Sequence, residues 1–152
     1  MKNEGRKRIA VFGGSTCDNE TAAVAEETGK RLADAGALVY CGGRGGVMEA
    51  VCRGTSGAGG TVVGILPNSD TSGINGYVSV PVATGAGQGR NVMIANSVQG
   101  AIAIDGAYGT LSEIAHTLAQ DKPVVTLGSW DIKGVTEVQT PEEAVTTIME
   151  LI

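Results

Sequence analysis

The stretch that decides the fold spans residues 101–118 and reads AIAIDGAYGTLSEIAHTL. The apolar run at 101–104 predicts a buried strand, the glycine-containing segment at 105–109 predicts a turn, and the residues that follow favour a helix. A strand, a glycine turn and a helix in so short a stretch are typical of a parallel α/β sheet. Backbone N–H groups at the start of such a helix lack intrahelical partners and carry partial positive charge, so this turn is a candidate phosphate site.

Three other glycine-rich segments follow apolar runs, at 13–15, 41–46 and 84–89. Glycine makes up 24 of the 152 residues, about twice the usual share of roughly 7%, and its position between apolar runs indicates tight turns in a folded protein. Because ligands of parallel sheets bind at the carboxyl ends of the strands, we expect the turns to meet at one site. The candidate phosphate- or nucleotide-binding residues are Gly14, Ser15, Gly42, Gly43, Gly45, Gly46, Met48, Gly106, Ala107, Tyr108, Gly109 and Thr110.

Apolar runs and helical segments alternate along the whole chain. This order predicts an α/β fold: a doubly wound, mainly parallel sheet of about six strands with helices on both faces, which is a Rossmann-like arrangement. The expected strands are 8–12, 38–41, 61–66, 77–82, 101–104 and 123–127, and the expected helices are 19–35, 47–55, 90–98, one ending near Gln120 and one beginning at Pro141. No linker or repeat divides the chain, so we expect residues 1–152 to form a single domain with a flexible tail at 1–7.

The composition disfavours several classes of function. The formal net charge is −5 and the pI is about 4.8, which disfavours nucleic-acid binding because neutralising phosphates requires basic residues. One histidine and three cysteines without metal-ligand spacing predict no metal site, and they indicate small, half-buried thiols in a reducing cytoplasm. No apolar run reaches about 18 residues, so we expect a soluble, cytoplasmic protein without a membrane segment or signal peptide.

Glu113 follows the turn at 105–109 and lies near the start of the predicted helix. Thr110 and Glu113 have the spacing of a capping box, so Glu113 either caps the helix or stands free for catalysis, and the spacing leaves both alternatives open. Helical periodicity predicts a polar face of Glu113, His116, Thr117 and Gln120, opposite a core face of Leu111, Ile114, Ala115 and Leu118. This assignment places Glu113 away from the core and near the mouth of the cleft.

Arg90 begins a helix directly after the glycine-rich loop at 84–89. The helix dipole disfavours a cation at that position, and a bound phosphate or carboxylate would offset the cost. The alternative is a solvated arginine at the end of a loop. The turns match neither the dinucleotide-binding G-x-G-x-x-G spacing with its acidic partner nor the G-x-x-x-x-G-K-[ST] phosphate loop, so we expect neither a classical dinucleotide enzyme nor an NTPase.

Three segments together resemble a known superfamily: GGRGGVMEA at 42–50, TGAGQGRN at 84–91 and GAYGTLSE at 106–113. They are similar to the lysine decarboxylase-like superfamily, which includes the "lonely guy" phosphoribohydrolases, and above all to its short Rossmann proteins related to the molybdenum cofactor carrier. The chain departs from the phosphoribohydrolase signature at Asp105 for proline, at Ala107 for glycine and at Asn91 for lysine. None of the lysines lies in the turns, so true lysine decarboxylation through a pyridoxal Schiff base is not expected.

The resemblance implies roles for the two charged residues. Arg90 and Glu113 match the arginine and glutamate that face the ribose of a nucleoside 5′-monophosphate, and they are the candidate catalytic residues. The resemblance also implies a homodimer or higher homo-oligomer, and the apolar residues of the helices at 90–98 and after Pro141 favour the same prediction.

We therefore expect a protein that binds a phosphorylated, nucleotide-like small molecule as a carrier or sensor. The bound molecule would be a nucleoside monophosphate or a molybdopterin-type ligand, with no cofactor required. The alternative is a phosphoribohydrolase that cleaves the N-glycosidic bond of a nucleoside 5′-monophosphate. A third and less favoured interpretation is a DNA-processing Rossmann protein that binds single strands.

Overall fold

The computed structural model describes residues 5–152, which fold around one seven-stranded sheet. The strands are β1 (Arg8–Gly13), β2 (Leu38–Cys41), β3 (Val62–Leu66), β4 (Val80–Ala83), β5 (Gly100–Ile104), β6 (Val124–Leu127) and β7 (Thr136–Val138). The helices are α1 (Asn19–Asp34), α2 (Val47–Gly57), α3 (Arg90–Ser97), α4 (Tyr108–Ala119) and α5 (Pro141–Leu151), and a short 3₁₀ turn (Gly87–Gly89) precedes α3. All six strand pairings are parallel.

The core lies on both faces of the sheet, because the central strand β1 is apolar on both sides. Ile9 and Val11 belong to the cluster that packs under α1, α2 and α5. Ala10 and Phe12 belong to the cluster under α3 and α4. All four side chains are at most 1% exposed, so β1 shows the continuous apolar run of a strand buried on two sides.

The strand order is β4-β3-β2-β1-β5-β6-β7. The chain moves outward from β1 to β4, returns through α3, and then places β5 against the other side of β1. The direction of winding therefore reverses between β1 and β5, whose carboxyl ends pair at Gly13 and Ile104. A crevice at such a switch point is where ligands of doubly wound sheets bind.

The predicted doubly wound α/β fold is confirmed, with one strand more than the six expected. The additional strand β7 is only three residues long and mostly exposed, so no apolar run marks it in the sequence. The fourth strand begins at Val80 rather than at Tyr77, because the Asn75 side-chain oxygen accepts a hydrogen bond from the Tyr77 N–H (2.9 Å) and holds the chain in a turn. β4 is an edge strand, as Pro81 in its sequence indicates.

The ends of the described chain are fixed by local contacts. Thr140 caps α5 by accepting a hydrogen bond from the Glu143 N–H (3.1 Å), and Pro141 is its first residue. Residues 1–4 of the expected tail lie outside the described residues. In the rest of that segment the Lys7 carbonyl accepts a hydrogen bond from the Leu38 N–H (2.8 Å).

Candidate functional site

Three glycine turns meet at the carboxyl edge of the sheet, at the switch point between β1 and β5. The turn after β1 contacts the turn after β2, since the Gly14 carbonyl accepts a hydrogen bond from the Val47 N–H (3.0 Å). A Cβ atom added to Gly14 would lie 3.7 Å from the Gly106 Cα, so the turn after β5 is also adjacent. The turns after β1, β2 and β5 therefore lie side by side at the switch point.

The turn after β2 uses its backbone groups for contacts inside the protein. The Gly42 carbonyl accepts a hydrogen bond from Arg90, and the Gly43 carbonyl accepts one from the Asn75 N–H (3.0 Å). Gly46 has a φ of 63°, and a Cβ atom there would overlap the carbonyl oxygen of Gly14. The start of α2 is therefore covered by the neighbouring turn.

Several of the predicted ligand-binding residues lie in this covered turn. Gly42 and Gly43 are buried, and Met48 is 8% exposed with its sulfur packed beneath Gly42. Gly45 is half-buried, and a Cβ atom there would lie 3.2 Å from the Ser15 carbonyl oxygen. These residues shape the floor of the candidate site and present little of their own surface to a ligand.

The turn after β5 is open. α4 begins at Tyr108 with Ala107 as its N-cap residue, and no side chain caps it. Tyr108 and Gly109 are exposed, and a Cβ atom added to Gly109 would meet nothing within 4 Å. The first N–H groups of the helix have no side-chain cap, and the helix dipole favours an anion at this end.

The backbone of this open turn is held in an unusual conformation. Asp105 has a φ of 51°, which a residue with a side chain adopts at a cost, and Gly106 has a φ of 99°. A Cβ atom at Gly106 would overlap the Thr110 side chain, which is 3% exposed and closes the turn from below. Glycine is required at 106 for both reasons.

Two residues that the sequence prediction missed fix this turn from outside. Ser129 donates a hydrogen bond to the Asp105 carbonyl (2.7 Å), and the Trp130 indole N–H donates one to the Ala107 carbonyl (2.9 Å). The Trp130 ring also packs on Tyr108, with ring centroids 5.9 Å apart. Both residues directly follow β6, the strand next to β5. This position in the sequence could have indicated that they lie beside the turn after β5.

The guanidinium of Arg90 lies over the ends of two strands. Its Nη1 donates hydrogen bonds to the Gly42 carbonyl (2.7 Å) and to the Ile65 carbonyl (3.0 Å). Burial lowers its pKa below the usual value, although an arginine keeps its charge at any physiological pH. Arg90 is therefore not the solvated loop residue that was one alternative, because its guanidinium is half-buried and joins the ends of β2 and β3.

Glu113 does not cap α4, since the helix begins two residues before Thr110 and has no side-chain cap. The predicted polar face was also wrong for Thr117, which is fully buried and donates a hydrogen bond to the Glu113 carbonyl (2.8 Å). Ala115, predicted in the core, is exposed. The buried face is rotated toward Glu113, so this residue lies at the edge of the core and not on a fully solvated face.

The position of Glu113 changes its ionisation. Burial raises the pKa of the Glu113 carboxyl to about 8, and the attraction of Arg90 offsets only part of the rise. At neutral pH the group therefore carries a proton. Arg90 and Glu113 do not form an ion pair; the ion pairs of the described residues are Arg31–Glu27 and Arg53–Glu26. The electrostatic attraction between Arg90 and Glu113 therefore acts without direct contact.

A cavity of about 420 Å³ opens on the other side of Asp105, between α1 and the ends of β5, β6 and β7. Four carboxyl side chains belong to its lining: Asp18, Glu20, Asp105 and Glu137. Such a lining accepts hydrogen bonds and repels anions. Among residues 5–152 no group of three metal-ligating side chains is found, and no helix of that range is long and apolar enough to span a membrane.

These features define a Rossmann-like α/β protein with an open helix start at the switch point of its sheet. The SLOG cluster4 family profile matches residues 6–151, and the chain belongs to this family. An uncharacterized protein of Archaeoglobus fulgidus is 41% identical over 139 residues, which cover 91% of each chain. The resemblance noted from the glycine segments is thereby confirmed at the level of the superfamily.

Two further relatives have described activities. The molybdenum cofactor binding protein of Rippkaea orientalis superimposes with a TM-score of 0.91 and 30% identity, covering 97% of this chain and 98% of its own. A cytokinin riboside 5′-monophosphate phosphoribohydrolase of Arabidopsis thaliana is 33% identical over 132 residues, covering 78% of this chain and 57% of the plant enzyme. The chain therefore spans little more than half the length of that enzyme.

Proposed function

We propose that this protein binds a phosphorylated, nucleotide-like small molecule, with the phosphate at the start of α4. The observation that supports the proposal is an uncapped helix of 12 residues that begins in an exposed glycine turn. Its first N–H groups and the helix dipole attract an anion. Arg90 adds a permanent positive charge nearby, and Glu113, protonated at neutral pH, adds no repulsion.

A carrier or sensor role fits this site better than hydrolysis does. Cleavage of an N-glycosidic bond passes through a cationic state that an ionised carboxylate stabilises, and a Glu113 with a pKa of about 8 is mostly neutral at pH 7. The similarity to a molybdenum cofactor binding protein supports a carried ligand of the molybdopterin type. Such a ligand combines a phosphate with a pterin ring, and it would be cargo.

The rest of the ligand has space beside the phosphate. The cavity next to Asp105 has room for a purine or pterin ring, and its carboxyl groups accept hydrogen bonds from ring amino groups. The same carboxyl groups repel phosphate. This division of charge orients the ligand, with its phosphate at α4 and its ring toward the acidic cavity.

Calorimetric titration tests the proposal with matched pairs of ligands. We expect AMP and a phosphorylated pterin to bind, and adenosine and the unphosphorylated pterin to bind at least about tenfold more weakly, because a charge-assisted contact of the phosphate is lost. Binding of no phosphorylated compound, or equal binding of both members of each pair, contradicts the proposal.

Hydrolysis of a nucleoside 5′-monophosphate is the second candidate function. It is favoured by the electrostatic attraction between Arg90 and Glu113 and by the similarity to the plant phosphoribohydrolase. Incubation with AMP followed by detection of free adenine tests it. Release that falls strongly in Glu113→Gln would support hydrolysis, and release that is unchanged would remove Glu113 from the mechanism.

Assembly and location belong to the same proposal. Tyr77, Val80 and Val82 on the edge strand side and Met93 on α3 are between 38% and 46% exposed, which favours burial against a second copy. Light scattering at micromolar concentration should give the mass of a dimer or a larger oligomer. Three free thiols are typical of a reducing cytoplasm, and the acidic net charge keeps single-stranded DNA the least favoured partner.

A further inference from the structure

The two cysteines Cys41 and Cys52 lie side by side beneath the covered turn. Their sulfur atoms are 3.3 Å apart, and both side chains are fully buried. Cys41 is the last residue of β2 and Cys52 lies on the inner side of α2, so the pair joins the strand and the helix on either side of the turn. The third cysteine, Cys17, is half-buried and stands apart in the turn after β1.

We propose that Cys41 and Cys52 are an oxidative modification site: a hydroperoxide converts the pair into a disulfide that rearranges the turn at 42–46. The sulfurs have to approach by only about 1.2 Å to reach the bond length of about 2.05 Å. A disulfide suits this apolar interior better than a metal site would. A disulfide is neutral, whereas two metal-binding thiolates would place negative charge there.

The two thiols differ in a way that assigns their roles. Either sulfur can be the donor in the hydrogen bond between Cys41 and Cys52, and the Asn75 amide donates to the Cys52 sulfur (3.6 Å). The contact with Cys41 and the Asn75 amide lower the pKa of the Cys52 thiol. The pKa of Cys41 is raised well above its usual value by its contact with Cys52 and by burial. Because the Asn75 amide contacts the sulfur of Cys52, we assign Cys52 as the thiol that attacks and Cys41 as the one that resolves.

The peroxide is the only oxidant that the formation of the disulfide requires. The Cys52 thiolate attacks one peroxide oxygen, the O–O bond breaks, and the other oxygen leaves as water or alcohol after taking up a proton. The Cys41 sulfur then attacks the sulfenic sulfur of Cys52 and displaces a water molecule. Two thiols are oxidised by two electrons, and one peroxide is reduced.

Asn75 both covers the pair and connects it with the turn. Its side-chain amide donates to the Arg44 carbonyl (2.9 Å) as well as contacting Cys52, and its backbone N–H donates to the Gly43 carbonyl. The residues just before it, 71–73, are exposed. Displacement of this exposed loop would give a small peroxide access to Cys52.

Oxidation would act on the turn through Cys41. The Gly43 N–H donates to the Cys41 sulfur (3.4 Å), and the Gly42 carbonyl next to it holds Arg90 (2.7 Å). When the sulfur moves toward Cys52, the first contact is lost and the second is displaced. The effect on ligand affinity rests on the proposed function, whereas the effect on the turn does not.

The test uses the Cys17→Ser variant, which keeps the pair, and the Cys17→Ser/Cys52→Ala variant as control. After hydrogen peroxide treatment and peptide mapping, we expect a Cys41–Cys52 disulfide that dithiothreitol reverses. Hydrogen exchange at the amides of residues 42–46 should become about two- to tenfold faster, as the loss of one hydrogen bond requires. The control should show neither change.

Absence of the cross-link, or a cross-link with unchanged exchange at 42–46, overturns the inference. If the control variant does not fold, Cys17→Ser/Cys41→Ala takes its place. AMP titration of the reduced and oxidised forms separates the two proposals. A cross-link with faster exchange in a protein that binds no AMP in either form supports the modification site and counts against the proposed function.

Discussion

The helices α2 and α4 both begin in a glycine turn at the carboxyl end of a strand, but their turns differ in what they contact. At α2, the turn faces protein: Val47 donates to the Gly14 carbonyl, and Gly46 packs against the same residue. At α4, the turn faces space, since Gly109 has no neighbour within 4 Å of an added Cβ and no side chain caps the helix.

The difference shows that a glycine turn before a helix is not in itself a ligand site. Glycine can permit close packing of backbone on backbone, as at α2, or close approach of a ligand to free N–H groups, as we propose for α4. The neighbouring turn decides which of the two occurs. The substitutions below should affect the covered turn before α2 and the open turn before α4 differently.

The largest effect is expected for Gly46→Ala. The φ of 63° strains an alanine, and its Cβ would overlap the Gly14 carbonyl oxygen, so we expect the free energy of unfolding to fall by more than about 2 kcal/mol. Gly109→Ala is the matched control, because its Cβ meets open space and alanine favours a helix. Urea denaturation should show a loss for the first variant and none for the second. Equal losses would contradict the distinction between the two turns.

Arg90→Met should weaken AMP binding by about 10- to 100-fold, because a permanent charge beside the phosphate is removed. It should also destabilise the fold by about 1–3 kcal/mol, since the carbonyls of Gly42 and Ile65 lose their donor. Arg53→Met, which removes a partly exposed arginine paired with Glu26, is the control. Calorimetry measures the first effect and urea denaturation the second. An unchanged AMP affinity in Arg90→Met would place the phosphate elsewhere.

The ionisation of Glu113, on the helix after the open turn, should make the stability of the fold depend on pH. Because its pKa is about 8 in the folded state and near 4.5 in the unfolded state, the folded state holds a proton that the unfolded state releases between these values. Stability therefore decreases as pH rises through this window, by at most about 1.4 kcal/mol per pH unit. Glu113→Gln should flatten this part of the stability–pH curve, and Glu150→Gln, an exposed control, should not.

The same group should affect binding. The second phosphate pKa of AMP is about 6, so the ligand charge is nearly constant between pH 7 and pH 9 while Glu113 ionises. We expect AMP affinity to fall severalfold over that range in the native protein and to stay constant in Glu113→Gln. An affinity that falls equally in both would assign the effect to another group.

The smallest effect is expected for Trp130→Phe. The variant keeps a ring against Tyr108 but loses the N–H bond to the Ala107 carbonyl, so stability should fall by about 0.5–1.5 kcal/mol. AMP affinity should fall about two- to fivefold, because the open turn is held less firmly. Thermal unfolding and calorimetry measure the two changes. A loss of stability with no change in affinity would show that Trp130 does not position the turn for a ligand.

The elements of the sheet could be predicted because a strand buried on both faces is a continuous apolar run, as in β1 and β5. β7 could not, because it is only three residues long, two of them polar and exposed, and it depends on pairing with β6. The sequence also placed the turns at one edge, since that follows from parallel topology alone. The burial of Met48 and the pKa of Glu113 depend on side-chain packing across the sheet, which no local pattern records.

The most direct test is an NMR titration of the ¹⁵N-labelled protein with AMP, with adenosine as the control. We predict that phosphate-dependent shifts concentrate on the backbone amides of Tyr108, Gly109 and Thr110 at the start of α4. The amides of Gly46 and Val47 at the covered start of α2 should shift far less. Phosphate-dependent shifts centred on Gly46 and Val47, with α4 unaffected, would contradict the assignment of the open turn as the anion site.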